Sequence, residues 1–570
     1  MDPIQSTISA FQKVLSSFKF QEPTTFPEAF AQQRYLKKFQ VPNDSNKSLL
    51  AQQCWDQWLE FDSQLPLTLI RPAANFYQAR LMLHSIRPCD FSHFALPQGS
   101  EFDPTRGNNS VEARLCKSTW TCTYDNFERF ARIVHKHKGL KRAFRRRYNN
   151  WFLKHNFDLT MTQSDKYLFR EYVKQGVKNP AFEAFKYKLS KVVSLQQGSR
   201  FSTVPKNNEK DRPINVECFG NTVVQRAIGI HIRKELFRLF SVDLDVLADE
   251  HREKISSDAY ATIDLSNASD SVSLALCEFL LPSHLYKAIT ASRSDFILGH
   301  DGQYHKIRKV SSMGNGFTFE LMTAILTAVA RTLDPTATVF GDDIIIRKEH
   351  AHKLIALIES VGFVVNIDKS FIDGPFRESC GGNYHDEFGY IESYDFRYPT
   401  SIHDCVVFFN KTRRLGYKYP SFEALSRCLH RMIPKVLQGV TERSFFETNV
   451  PFNYATTDSK YAQDAFFSGY FRSYTCKGVP VVVNSKVKDF LDAYQYELSD
   501  LTIFNGFKYV PKLRTPTKKH LSARDWAKYE MYLHSNRCAK DEIVGAGGWV
   551  VVKYVSVAGA TVRWSDSARV

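Results

Sequence analysis

Gly341-Asp342-Asp343 sets two carboxylates side by side between two apolar runs, Thr338-Val339-Phe340 and Ile344-Ile345-Ile346. Gly-Asp between such runs predicts a tight hairpin, with Asp342 at its tip and Asp343 at the mouth of its second strand. Adjacent carboxylates on an apolar hairpin repel one another and are costly unless a cation compensates them. Oxygen donors suit a hard divalent ion, Mg2+ or Mn2+. A third carboxylate, Asp264, closes the alternating run Ala259-Tyr260-Ala261-Thr262-Ile263 and so stands at the carboxyl end of a predicted strand. Three such groups serve phosphoryl transfer with two cations, one lowering the pKa of an attacking hydroxyl and the other steadying a leaving pyrophosphate. For the hairpin taken by itself, a solvated Asp-Asp turn is the plain alternative.

Other segments offer groups for the same chemistry. The loop Lys206-Asn207-Asn208-Glu209-Lys210-Asp211-Arg212-Pro213 follows a short strand; Arg212 supplies a bidentate fork and Lys206 and Lys210 point charges for a nucleoside triphosphate, although a polar surface turn has the same composition. Lys369 is a candidate to protonate the leaving group. Asp270, with Ser312 and Asn315 from the glycine-rich loop Ser311 to Thr318, is placed to read a ribose hydroxyl. Between Arg132 and Lys154, the cations Lys141, Arg142, Arg145 and Arg146 are interleaved with Phe144, Tyr148, Trp151 and Phe152. Cations that track phosphates and rings that stack on unpaired bases suit single-stranded RNA or DNA; a solvated helix face with its aromatics in the core is the alternative. A second basic stretch runs from Lys508 to Lys528.

These groups need elements to hold them. From Tyr260 the patterns read strand, helix, two-stranded hairpin, helix, strand, the βαββαβ order of an α+β unit with helices on one face of an antiparallel sheet. The first and second strands are expected side by side, which would set Asp264 next to Asp342. The cluster Ser266 to Ser271 is expected to cap a helix running to Leu281, and residues 295 to 310 to form a hairpin about Gly299-His300-Asp301-Gly302. Residues 1 to 200 read as mostly helical. The chain of 570 residues is too long for one ordinary core. With 43% hydrophobic and 14% aromatic residues, disorder as the main state is excluded. A net charge of +16 favours a polyanionic partner. Eleven cysteines without a repeated short spacing read as reduced thiols in a cytosol rather than as a zinc site. Met1-Asp2-Pro3-Ile4-Gln5 carries no export signal and no apolar run reaches membrane-spanning length, so a soluble protein without a membrane partner is expected.

Five segments in order carry a resemblance: Thr203-Val204-Pro205-Lys206-Asn207-Asn208 with Asp211-Arg212; Ala261-Thr262-Ile263-Asp264-Leu265-Ser266 with Ala268-Ser269-Asp270-Ser271; Ser312-Met313-Gly314-Asn315-Gly316-Phe317-Thr318-Phe319-Glu320-Leu321; Gly341-Asp342-Asp343-Ile344; and Phe376-Arg377-Glu378-Ser379-Cys380-Gly381. Over residues 200 to 385 the chain resembles the RNA-dependent RNA polymerase, or replicase β subunit, of the levivirus (Qβ-like) positive-strand RNA bacteriophages. The resemblance implies a right-hand polymerase fold: 1–200 and 201–258 contribute fingers, 259–395 is the palm with an insertion near 282–311, and 396–570 is the thumb and C-terminal region. It implies primer-independent copying of single-stranded RNA from ribonucleoside triphosphates, with Asp264, Asp342 and Asp343 binding two Mg2+ ions. It also implies host elongation factors Tu and Ts and a ribosomal small-subunit protein as partners, and the cytoplasm of an infected bacterium as the location. Two positions depart from the pattern: Phe340 replaces the usual Tyr, and Glu320 and Met322 stand where many viral RNA polymerases have Asn. A reverse transcriptase on the same palm and a non-catalytic RNA-binding protein are the competing readings.

Overall fold

The computed structural model describes residues 3–38, 44–95, 102, 119–155, 161–206 and 210–432, apart from single positions within these spans, and the strands at 470–477 and 548–556. Contacts divide the chain into two units, Met1–Pro42 with Glu392–Val570, and Asn43–Ile391. Among the described residues the first 200 are mostly helical, as expected, with residues 1–42 in the first unit and 43–200 in the second. The basic stretch Lys508 to Lys528, together with Asn207, Asn208 and Cys116, lies outside the described residues.

In chain order, α1 (Pro3–Ser17) and α2 (Phe26–Lys38) belong to the first unit, and α3 (Asp44–Gln64) and α4 (Ala74–Leu83) open the second. A parallel pair, β1 (Trp120–Thr123) and β2 (Val193–Gln196), brackets the helices α5 (Phe127–Lys136), α6 (Lys138–His155), α7 (Met161–Lys174) and α8 (Pro180–Ser190). Helix α8 begins as its sequence dictates, with Pro180 in the first turn and the Asn179 side chain accepting the Phe182 N–H. The antiparallel hairpin of β3 (Ser199–Pro205) and β4 (Asp211–Val216) then leads into α9 (Phe219–Phe240) and α10 (Leu247–Lys254).

The central part follows: β5 (Tyr260–Ile263), β6 (Leu265–Ser266), α11 (Leu274–Leu280), α12 (Ser283–Ser292), the hairpin β7 (Phe296–Leu298) and β8 (Tyr304–Lys306), α13 (Thr318–Arg331), β9 (Thr338–Phe340), β10 (Asp343–Arg347), α14 (Lys348–Glu359) and β11 (Val364–Val365). The βαββαβ order is present, and so is the hairpin about Gly299 to Gly302. Helix α11 starts later than expected: Ser273 is its cap, its side chain accepting the Leu276 N–H at 3.1 Å, while Asn267 to Ser271 form a turn. β12 (Phe376–Ser379), β13 (Gly382–His385) and β14 (Gly389–Tyr390) close the unit as an antiparallel sheet. In the first unit, α15 (Ile402–Gly416) and α16 (Pro420–His430) share a core with α1 and α2 in which Phe11, Tyr35, Phe396, Phe408 and Phe422 meet mainly edge to face. β15 (Tyr470–Lys477) and β16 (Gly548–Ser556) pair antiparallel.

The sheet order corrects one expectation. β5 pairs with β10, the second arm of the hairpin, and β9 lies on the far side of β10. β6 carries the line of β5 past Asp264 and pairs with β11, giving the order β11, β5/β6, β10, β9. The reason lies in the side chains. Ile344, Ile345 and Ile346 are all buried, so this run needs cover on both faces and takes the centre of the sheet. Helix α13, buried nearly all round, packs against β9, α4 and α9, and its Ala324, Ala328 and Ala330 leave room for close approach. Helix α14 turns Ala351, Leu354, Leu357 and Ile358 inward and ends before Gly362, whose φ of +101° breaks the helical run. Gly341 has φ +66°, and a Cβ there would lie 2.5 Å from the Phe319 ring, so only glycine fits the hairpin turn.

One ion cluster fastens the segment after α4 to α9. Glu235, its side chain 1% exposed, accepts from the Arg87 backbone N–H at 3.2 Å and Nε at 2.9 Å, and from Arg238 Nε at 3.0 Å. Burial alone would raise its pKa; the Arg238 and Arg87 hydrogen bonds outweigh that and bring it down to about 2. The folded value lies below the unfolded value of about 4.3, so this stabilisation is complete above that pH and is lost as pH falls towards about 2. Glu235→Gln is expected to cost about 1–3 kcal/mol at neutral pH. Urea denaturation should show the gap between variant and wild type narrowing below about pH 4; a gap that is constant with pH would contradict the ion-pair account.

Candidate active site

Ile344 pairs with Ile263 at the end of the β10–β5 ladder, so Asp343, which precedes Ile344, and Asp264, which follows Ile263, both stand just past it. Asp264 and Asp343 thus stand at neighbouring strand ends, with Asp342 beside them on the exposed turn and its charge acting on both. The carboxylates feel one another. Asp343 is pushed up to about 7, first by burial and then by the charges of Asp342 and Asp264. Asp264 is also raised, by burial and by Asp342 and Glu378, against the opposing pull of Lys369 and a hydrogen bond from Asn366.

The segment after β11 explains why Lys369 is near. Asn366 N–H donates to the Asp264 carbonyl at 2.9 Å, Phe371 exchanges backbone hydrogen bonds with Thr262, and Ser370 Oγ accepts the Asp264 N–H at 3.1 Å. Residues 366–371 thus run along the end of β5, and Asn366 Nδ2 donates to Asp264 Oδ2 at 2.6 Å. On the other side of the site is the tip of the β3–β4 hairpin, closed by Lys206 N–H to the Lys210 carbonyl at 3.1 Å. The Lys206 ammonium is lowered by burial and by Arg212, Lys369 and Lys210, while Asp264 pulls it up. Four cations from two separate segments therefore share one field with three carboxylates.

The remaining candidates fall elsewhere or face inward. Asp270 is 4% exposed, and its Oδ1 accepts from Ser312 Oγ at 2.8 Å, Trp58 Nε1 at 2.8 Å and Lys309 Nζ at 3.3 Å. Asp270 and Ser312 are thus together as expected, but their partners Trp58 and Lys309 were missed; the only hint was the four-residue spacing of Trp58 and Asp62 on α3. Asn315 faces inward: its Oδ1 accepts the Phe317 N–H at 3.1 Å and its side chain lies beside buried Glu217. Glu320 pairs with Arg226 at 3.3 Å, and Phe340 packs edge-on against Phe319. Asn366 and the Cys380 backbone N–H, which donates to Asp343 Oδ2 at 3.2 Å, were also missed. Asn366 lies three positions before Lys369, while a backbone donor leaves no trace in a sequence.

On α6, Arg142 and Arg145 are exposed and Lys141 and Arg146 half-buried, but Phe144, Tyr148 and Phe152 are buried. Those three rings build the core and do not stack on bases, which corrects that part of the expectation. The cations remain clustered: Lys188 on α8, brought down to about 8 by burial and by Arg145 and Lys141, joins them.

Among the described residues no group of three His, Cys, Asp or Glu side chains is arranged to hold a metal ion as it stands. Asp264 is engaged by Asn366, and Asp343 by Cys380. The donor set nevertheless fits a hard divalent cation. All its atoms are carboxylate oxygens, and the raised Asp343 marks negative charge in want of a counter-ion.

A family model described as "RNA replicase, beta-chain" matches residues 102–524. The chain belongs to this RNA replicase β-chain family. It is 38% identical over 262 residues to the RNA-directed RNA polymerase subunit beta of Enterobacteria phage SP, covering 42% of this chain and 45% of that one. It is 35% identical over 316 residues to the protein of the same name from Qbeta virus strain MX1, covering 52% of each. The chain spans about half the length of the curated relatives it matches. The polymerase of bacteriophage phi12 covers 77% of both chains at 12% identity with a TM-score of 0.35, a likeness too weak to bear on the fold.

The crowding of like charges predicts a stability effect. With no divalent ion present, Asp343→Asn should stabilise the fold by about 1–3 kcal/mol above pH 7, because it removes a carboxylate that the site leaves uncompensated. Thermal denaturation with and without Mg2+ reads this: the ion should raise the wild-type midpoint and leave that of the variant nearly unmoved. A variant less stable than the wild type under metal-free conditions would contradict it.

Proposed function

We propose that this chain is an RNA-directed RNA polymerase that copies single-stranded RNA from ribonucleoside triphosphates without a primer. The observation that carries the reading is the convergence of Asp264, Asp342 and Asp343 at the end of β5 and β10, where each carboxylate's charge reaches a neighbour and Lys369 and Lys206 lie within the field of Asp264. Family membership supports it, since the relatives carry that activity in their names. Asp264, Asp342 and Asp343 would hold two Mg2+ ions, or Mn2+, which when bound acidify the 3′-hydroxyl and neutralise charge on the departing pyrophosphate.

The chain's own groups do the rest. Lys206, Lys210 and Arg212 bind and orient the triphosphate, with Arg212 taking two oxygens at once. Lys369, exposed beside Asp264, gives a proton to the pyrophosphate oxygen. Asp270 and Ser312 read the ribose 2′-hydroxyl. Lys141, Arg142, Arg145 and Arg146, with Lys188 between them and the core, hold the RNA backbone through counter-ion release. In this reading the second unit contains fingers and palm, and the first unit the thumb. Recruitment of elongation factors Tu and Ts and a ribosomal small-subunit protein, and action in the cytoplasm of an infected bacterium, rest on the family resemblance alone. Among the described residues no helix is long and apolar enough to cross a membrane.

Asp342→Asn is expected to abolish nucleotide addition on an RNA template while leaving salt-sensitive RNA binding intact, because binding depends on the basic helix and not on the sheet end. A filter-binding titration over salt beside a primer-free incorporation assay separates the two. Preference for deoxyribonucleotides would favour a reverse transcriptase, and full activity of the variant would reduce the carboxylates to incidental features of an RNA-binding protein.

A further inference from the structure

Lys309 lies in the strand-like segment between β8 and the glycine-rich loop, and its side chain is 0% exposed. Burying an ammonium costs several kcal/mol or more unless it is fully paired. Its partners come from two directions. Its Nζ lies 3.3 Å from Asp270 Oδ1 and 3.9 Å from Asp62 Oδ1, 3.7 Å from the centre of the Trp58 ring, and 3.5 Å from the Trp58 carbonyl. The Asp62 carboxylate also accepts the backbone N–H groups of Arg308 and Lys309 at 3.0–3.1 Å. Trp58 and Asp62 sit one turn apart on α3, so this helix grips the Lys309 segment by backbone and side chain together.

How Asp270 is held is more telling than the fact that it is held. Three donors, Trp58 Nε1, Lys309 Nζ and Ser312 Oγ, all converge on Oδ1. Among the described residues no hydrogen bond is made to Oδ2. A staple serving only the fold gains most by engaging both oxygens. Loading a single oxygen fixes the carboxylate's rotation and reserves the other for a donor from outside. A carboxylate paired with an ammonium accepts and does not donate, so Oδ2 can reward a hydroxyl and gains nothing from a C–H.

We propose that Lys309 and Trp58 are positioning residues for ribose selection: they lock Asp270 so that Oδ2 meets the 2′-hydroxyl of the incoming ribonucleotide, making α3 part of the specificity device. The proposal rests on the polymerase reading and deepens it. A site built to receive a hydroxyl discriminates strongly against the analogue that lacks it, because its own polar group is then left unpaired. Loosening the lock should therefore cost the ribonucleotide more than its deoxy counterpart.

The test uses the full chain, purified from bacteria with any proteins it retains. Single-nucleotide addition of ATP and of 2′-deoxy-ATP on an RNA template is compared for wild type, Lys309→Met and Trp58→Phe. Lys309→Met should lower the ATP to 2′-deoxy-ATP ratio of kcat/KM by about tenfold, mainly through the KM for ATP. Trp58→Phe, which keeps a ring beneath Lys309 but loses the Nε1–H, should lower it by a smaller factor, and it decides the matter if Lys309→Met does not fold. Equal losses for both nucleotides, or an unchanged ratio in a wild type and variants that polymerise, overturn this inference alone. A wild type that adds neither nucleotide overturns the polymerase reading and this inference with it.

Discussion

Like charges held close at the end of one ladder are the constraint around which the second unit is arranged. Asp343 and Asp264 stand at neighbouring strand ends because Ile344 pairs with Ile263, and that register is itself fixed by burial. A slip of one residue would break the Ile344–Ile263 pairing and move Asp343 along β5, away from the end where Asp264 stands. Apolar burial thus drives the pairing, and the crowding of charge is a cost that the fold carries. The cost is partly offset on the spot: Asn366 and Cys380 each donate to one carboxylate, and Lys369 and Lys206 lie within their field. What remains is the raised Asp343, which burial and the charges of Asp342 and Asp264 push up to about 7.

Around that centre, parts distant in the chain are tied to the sheet by polar contacts as well as packing. Segment 366–371 is fastened to β5 by backbone hydrogen bonds, which sets Lys369 in place. The glycine-rich loop is fastened to β4 and α9: Asn215 N–H donates to the Met313 carbonyl at 2.8 Å, and Gly316 N–H donates to Gln225 Oε1 at 3.1 Å. Gly314, at φ +108°, lies against the Asn215 carbonyl where no Cβ could fit. Helix α3 reaches the same loop through Trp58, Asp270 and Ser312. Buried ion pairs seldom add much net stability, but once made they are costly to break.

The basic surface obeys different physics. On α6 the aromatic residues supply much of the packing; of the cations between them, Arg142 and Arg145 are exposed, while Lys141 lies over the Phe185 ring and Arg147 over Trp120. Arg145 and Lys141 repel the Lys188 ammonium and, with burial, bring it down to about 8, so positive charge is concentrated here. Two charge clusters are therefore separated in this unit: carboxylates and Lys369 at the sheet end, and cations on a helix whose other face is core.

Much of this was legible in the chain itself. The hairpin at Gly341, the strand ending in Asp264, the β3–β4 loop and the αβ alternation all follow from local rules of turn chemistry and periodicity, which act over a few residues and so are written in a few residues. The sequence by itself determined which carboxylates and cations are present and on what kind of element each one sits. Tertiary structure alone decided that β10 and not β9 lies beside β5, that the rings of α6 face inward, that Asn315 faces inward, and that Asp270 answers to Trp58 and Lys309. Each of these is a choice between partners far apart in the chain, settled by which apolar run needs cover on both faces and which buried charge needs a counter-charge, and a local pattern carries no record of such competition.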